Sequence, residues 1–142
     1  MKPRIFMDTN VLLDVLLERP GYGPVLEILQ RGADGKVSLC VSFLTMANIA
    51  YVLRKDQNGL ILSPTLKQIS VLTKVLPMDQ AQLQRALLLS GPDFEDILQA
   101  VCAESGRCSA IITRNPKDFQ IQKGLCPDWH SPEILTPEAF VY

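Results

Sequence analysis

The strongest constraint on this chain is an alternation along its whole length. Short apolar runs recur between longer segments of helical period. Ile5-Phe6-Met7, residues 37–41, Val75-Leu76-Pro77-Met78, Ala110-Ile111-Ile112 and Ile134-Leu135 read as strands, with 37–41 and 110–112 buried. Residues 11–18 place Leu12, Val15 and Leu16 on one helical face until Pro20-Gly21 stops them, and 25–30 continue as a second helix before a turn at 32–35. A helix over 43–55 ends at Asp56-Gln57-Asn58-Gly59, and Ser63-Pro64 starts the next, with Ser as N-cap and Pro at the first helical position. Asp79 and Gln82 have capping-box spacing for a helix toward Ser90. Pro92 precedes a helix from 94 to about 104, closed by Gly106, and Thr136-Pro137-Glu138 begins a short last helix. Strands that alternate with helices predict a three-layer α/β/α fold with a mainly parallel sheet of four to five strands. At 142 residues, with no internal repeat or linker, the expectation is a single domain over 1–142.

The bulk numbers exclude several classes. Hydrophobic residues make up 47% and charged ones 20%, which supports a packed core rather than disorder. Fourteen Lys+Arg against fifteen Asp+Glu leave a net charge of -1, which excludes a polybasic chain that gathers nucleic acid by its overall field. A local cluster of one sign stays open. Cys40, Cys102, Cys108 and Cys126 form no C-x-x-C pair and read as small buried groups in a reducing compartment. Cys126 and His130 have a C-x-x-x-H spacing, but no second local pair accompanies them, so structural zinc is not expected. Asp8 interrupts the first apolar run, unlike a signal peptide, and the uncharged stretch 37–53 carries Ser38, Ser42, Thr45 and Asn48 and divides better into strand plus helix than into a membrane span. A soluble, cytoplasmic protein without a membrane segment is expected.

In open parallel sheets, ligands bind beyond the carboxyl ends of the strands. Two strands end there in polar clusters, Asp8-Thr9-Asn10 and Thr113-Arg114-Asn115, the latter continuing to Pro116-Lys117-Asp118. Asp93 and Asp96, three apart, share one side of a helix whose apolar stripe is Phe94, Ile97, Leu98 and Val101, so they sit at the rim of its buried face. If they converge, Asp8, Asp93, Asp96 and Asp118 meet at one end of the sheet. Two carboxylates about 5 Å apart at an effective dielectric near 20 repel by roughly 3 kcal/mol, so such a cluster needs a cation or protons. All-oxygen ligation suits Mg²⁺ or Mn²⁺. Each acid alone has a plainer reading: Asp8 and Asp93 as helix caps, Asp118 as a turn residue. Asp96, non-capping and beside an apolar stripe, is a poor helix choice without a further role. Asn48, mid-helix among apolar neighbours, is either a satisfied core amide or an orienting group for the acids.

The segments Ile5-Phe6-Met7-Asp8-Thr9-Asn10-Val11-Leu12-Leu13-Asp14, Asp93-Phe94-Glu95-Asp96-Ile97-Leu98-Gln99 and Ile112-Thr113-Arg114-Asn115-Pro116-Lys117-Asp118-Phe119 resemble, in order and spacing, those of the PIN-domain family, metal-dependent ribonucleases that include the VapC-type toxins. The resemblance implies that Asp8 and Asp96 ligate the metal, that Asn115 and Asp118 support it or its waters, and that Thr9 or Thr113 hydrogen-bonds within the site. Many PIN domains carry Glu where Asn48 stands, which removes one negative charge; Asp93, one turn before Asp96, is a candidate to restore it.

The leading expectation is therefore an endoribonuclease that cuts single-stranded or loop RNA with one or two Mg²⁺ or Mn²⁺ ions. Its catalytic acids would be Asp8, Asp93, Asp96 and Asp118. Arg114 and Lys117 are the expected phosphate contacts, with Arg54 and Lys55 as further candidates. The resemblance also implies an antitoxin partner and a homodimer. The alternative is a non-catalytic PIN-like module that binds RNA or protein. A phosphatase using Asp8 as nucleophile ranks third, because a second acid is wanted two residues on and Asn10 stands there.

Overall fold

The centre of the fold is β1 (Arg4–Met7), a strand with partners on both sides. In this computed structural model, residues 2–56 and 62–141 are described, the side chains of Lys55 and Asp56 excepted. β1 pairs in parallel with β2 (Ser38–Ser42) and with β4 (Ala110–Ile112), Phe6 standing opposite both Cys40 and Ile111. β3 (Lys74–Leu76) extends the sheet beyond β2 and β5 (Glu133–Leu135) extends it beyond β4, giving the all-parallel order β3-β2-β1-β4-β5. α1 (Thr9–Leu16) and α2 (Gly23–Ala33) connect β1 to β2, and α3 (Phe43–Asp56) and α4 (Leu62–Leu72) lie between β2 and β3. α5 (Gln80–Leu88) and α6 (Phe94–Ser105) lead from β3 to β4, and α7 (Pro137–Val141) follows β5.

The period of two in the strands sorts the core into two layers. Ile5, Met7, Leu39, Val41 and Ile112 pack with Val11, Leu12, Ile28, Ile49 and Ile69 from α1 to α4. Phe6, Cys40, Leu76 and Ile111 pack on the other side with Ala86 of α5, with Ile97, Ala100 and Val101 of α6, and with Trp129. The architecture is thus the expected α/β/α sandwich, and all four cysteines are free and buried. Among the described residues no helix is long and apolar enough to cross a membrane.

This topology creates one special place. The chain steps from β1 outward to β2 and β3, then returns through α5 and α6 to β4 on the far side of β1. Strand order therefore reverses between β1 and β4, and a crevice opens at their carboxyl ends.

Some boundaries differ from expectation for identifiable reasons. α1 begins at Thr9, because the Asp8 carboxylate accepts the Thr9 N–H, and stops at Leu16, short of Glu18, whose φ is 50°. α2 runs past Gly32 instead of turning there; a Cβ at Gly32 would lie 2.5 Å from Leu39 Cδ1, so glycine lets the helix approach β2 closely. α4 begins at Leu62, which moves Ser63 and Pro64 inside its first turn, where proline's missing N–H costs nothing. The proposed breaker residues 57–59 lie outside the described residues.

Candidate active site

Asp8 leaves the end of β1 directly into the crevice. Its backbone N–H donates to the Ile112 carbonyl at 2.9 Å, which ties it to the end of β4. Its side chain is buried, with 7% exposure, and is held at both oxygens: Oδ1 accepts the Thr9 N–H at 2.8 Å and Oδ2 accepts the Thr113 hydroxyl at 2.9 Å. Thr113 is fully buried, and its Oγ1 accepts the Asn115 N–H at 3.1 Å, which leaves its own hydrogen for Asp8. The cap and the site are thus one arrangement, since Asp8 opens α1 with one oxygen and faces the crevice between its tethers.

Around Asp8 lies a groove of about 290 Å³ lined by Asp8, Thr9, Asn10, Leu13, Asn48, Tyr51, Val52, Asp93, Glu95, Asp96 and Asp118. Asp93 caps α6, accepting the Asp96 N–H at 3.2 Å. Asp96 sits half-buried in the first turn of that helix. Asp118 is carried in by a 3-10 turn (Pro116–Phe119) that Phe119 anchors in the core. All four expected acids therefore line one groove, which contains no Lys or Arg among the described residues.

The charges leave a clear electrostatic mark. Burial raises the Asp8 carboxyl above its ordinary range; the Thr113 and Thr9 hydrogen bonds oppose this, while Glu95 and Asp118 add repulsion. Asp96 is pushed up to about 7, first by burial and then by the negative charges of Asp8, Asp93, Asp118 and Glu95. Near neutral pH the cluster thus holds a proton unless a cation replaces it.

The donor set fits a hard divalent cation. Every charged lining group is a carboxylate, and Thr9 Oγ1, buried in the same wall, has no hydrogen-bond partner among the described residues. No three His, Cys, Asp or Glu side chains among the described residues close into a metal cage, so the groove is open. Open geometry suits Mg²⁺ or Mn²⁺ held by one or two carboxylates and several waters, with Thr9 Oγ1 placed to bond one of those waters.

Four expected residues take other places. Arg114, expected at a phosphate, is bonded within the fold: its Nε donates to Asp14 Oδ2 at 2.7 Å, Nη1 to Glu138 Oε1 at 2.5 Å and Nη2 to the Gly21 carbonyl, so it fastens α1, the α1–α2 turn and α7 together. Thr113 is turned to Asp8 while Arg114 is bonded to Asp14, so Arg114 stays out of the groove lining. Asn115 does not line the groove either; its N–H donates to Thr113 Oγ1, and its carbonyl accepts the Asp118 N–H at 3.0 Å. Lys117 is exposed, outside the groove lining and next to Asp118. Arg54 stacks on Tyr51 at 4.8 Å from the ring centre, and Tyr51 is part of the groove wall. The Lys55 side chain lies outside the described residues.

The sequence reading missed Glu95. It lines the groove, and its Oε1 accepts from Asn48 Nδ2 at 2.5 Å. An acid in the first turn of a helix reads as an ordinary partner of the helix dipole, which masked it. The available signal was the unexplained amide of Asn48.

Comparison with known proteins agrees with this architecture. No curated protein matches the chain. The chain is similar to three solved structures at TM-scores that establish the fold. VapBC-1 from nontypeable Haemophilus influenzae has a TM-score of 0.66 at 18% identity, with 95% of this chain and 98% of that one covered. VapBC2 from Rickettsia felis, bound to a DNA fragment from its promoter, gives 0.62 at 17% identity, with 82% and 91% covered. A toxin-antitoxin complex from Klebsiella pneumoniae gives 0.60 at 18% identity, with 94% and 97% covered. The family profile for the PIN domain matches residues 4–117, most of the chain and all but one strand of the sheet, and the chain belongs to the PIN-domain family.

Proposed function

We propose that this protein is a metal-dependent endoribonuclease that cuts single-stranded or loop RNA at the acidic groove. The observation that carries the reading is the convergence of Asp8, Asp93, Asp96 and Asp118 on one groove at the topological switch point, with Asp96 pushed up to about 7 by burial and then by its acidic neighbours. Asp8 and Asp96 would hold Mg²⁺ or Mn²⁺, with Asp93 and Asp118 at the rim bonding its waters. When bound, such an ion supplies a lowered pKa for water and neutralises charge developing on phosphorus. Thr113 and Thr9 fix the Asp8 carboxylate, and Asn115 fixes Thr113. Asp96 releases its proton when a cation takes its place.

The groove itself repels a phosphodiester, so substrate binding as well as cleavage is expected to need the cation. Exposed aromatic rings at Tyr51, Phe94 and Phe43 (54%, 43% and 62% exposed) suit stacking with unpaired bases, which favours single-stranded RNA over duplex. Lys117 and Arg54 are the cations best placed to meet flanking phosphates. The likeness to toxin-antitoxin assemblies supports an antitoxin as the protein partner, and family resemblance supports a homodimer working in the cytoplasm.

Purified protein incubated with a mixed-sequence RNA and Mn²⁺ or Mg²⁺ tests the proposal. Cleavage that EDTA and Asp8→Asn both abolish supports it. Equal cleavage by wild type and Asp8→Asn identifies a contaminant and removes it. RNA binding with no cleavage under any divalent ion supports the non-catalytic module instead.

A further inference from the structure

Glu95 is in an electrostatically costly position for a residue with an easy alternative. It is exposed, near the start of α6, and its flexible side chain could extend into water. Instead it lines the groove with Asp8, Asp96, Asp93 and Asp118, and no Lys or Arg among the described residues lines that groove to offset it. Its attachment there is the Asn48 amide, whose Nδ2 donates to Oε1 at 2.5 Å, leaving Oε2 unclaimed by Asn48.

The backbone beneath this pair is built to bring the two residues together. One turn deeper, Gln99 of α6 is 1% exposed and joins α3 and β2: its Oε1 accepts from Ser42 Oγ at 2.5 Å and its Nε2 donates to Thr45 Oγ1 at 3.2 Å. Thr45 lies three residues before Asn48, and Gln99 lies four after Glu95. The two helices are therefore bridged by two polar rungs, a buried one at Thr45–Gln99 and one at the groove at Asn48–Glu95. A buried, satisfied rung fixes helix register more tightly than apolar contact alone, because any slip leaves polar atoms unpaired.

We propose that Glu95 is a further carboxylate of the cation site, and that Asn48 is the positioning residue that directs it there. Asn48 supplies no charge of its own; it orients one from the neighbouring helix. This inference rests on the proposed function, since it assigns an additional ligand or water-holding group to the same divalent site.

The test is Mn²⁺ binding to the full chain, by calorimetry and by the paramagnetic resonance signal of free Mn²⁺, with no RNA present. Glu95→Gln is expected to weaken Mn²⁺ binding by about 10-fold or more, and Asn48→Ala by several-fold. The double variant is expected to bind no more weakly than Glu95→Gln alone, a coupling that a merely structural Asn48 would not produce. Metal-free melting temperatures of both single variants verify that they fold. Wild-type affinity in Glu95→Gln, with loss in Asp96→Asn, overturns this inference and leaves the proposed function standing. Wild-type affinity in Asp8→Asn and Asp96→Asn as well overturns both. Additive losses in the double variant overturn the role given to Asn48.

Discussion

Asp96→Asn is the most informative single perturbation, because it should stabilise the metal-free protein while disabling the site. A carboxyl that titrates at 3.8 in an open chain and at about 7 in the fold is bound by more protons in the folded state between those values. Stability therefore falls as pH rises from about 4 to about 7 and stays low above. The full effect at pH 8 is at most about 4 kcal/mol. Asp96 is only partly shielded from solvent, so about half of that, roughly 2 kcal/mol, is the expected effect. The opposing loss is the attraction of a carboxylate to the start of α6, about 0.5 kcal/mol. The net gain for Asp96→Asn is thus roughly 1.5 kcal/mol at pH 8, or about 5 °C in melting temperature for a chain of this size, and close to zero at pH 4. Thermal melts of both proteins in EDTA across this range measure the difference, and comparing the two removes the contribution of every other titrating group. Adding Mn²⁺ should then reverse the order, raising wild type and leaving the variant where it was. A variant less stable than wild type at pH 8 in EDTA, or a difference independent of pH, refutes the account of Asp96 as a carboxyl raised by burial and like charge.

Other perturbations separate structural from functional roles. Thr113→Val removes the donor to buried Asp8 Oδ2; it should cost about 1–3 kcal/mol in denaturant unfolding and lower Mn²⁺ affinity. Arg114→Ala leaves Asp14, 6% exposed, with the longer 3.6 Å contact to Arg19 as its one ion pair among the described residues; a loss of about 3 kcal/mol is expected in unfolding, with Mn²⁺ affinity at 25 °C unchanged. Lys117→Ala should leave stability within about 0.5 kcal/mol of wild type and reduce the salt dependence of RNA binding in Mn²⁺. Gly124→Ala forces a side chain at φ +53° with its Cβ 2.5 Å from the Leu88 carbonyl oxygen; a loss above about 1 kcal/mol is expected, with RNA cleavage at permissive temperature retained.

The sheet was legible because its strands are short apolar runs whose alternate residues feed two separate cores, as Phe6 between Ile5 and Met7 shows. The acids were legible for a topological reason: in a parallel sheet, polar clusters that follow strands arrive at one edge whatever the details between them. Properties set by side-chain direction or by partners distant in sequence were not legible. Arg114 stands beside Thr113 in the chain yet points to Asp14, one hundred residues earlier, and spacing alone could not say which of the two faces the groove. Glu95 looked like any acid at the start of a helix until Asn48, forty-seven residues away, was found to hold it. The extension of α2 through Gly32 likewise depends on Leu39 of β2 and not on local propensity, which favours a stop at that glycine.

The central claim is that the acidic groove is a divalent-cation site. Crystals of the wild-type chain grown with Mn²⁺ and measured for anomalous scattering test it most directly. A strong anomalous peak in the groove lined by Asp8 and Asp96, absent from crystals of Asp96→Asn, is the predicted result. A groove without a peak at saturating Mn²⁺, or a peak that persists unchanged in Asp96→Asn, contradicts it.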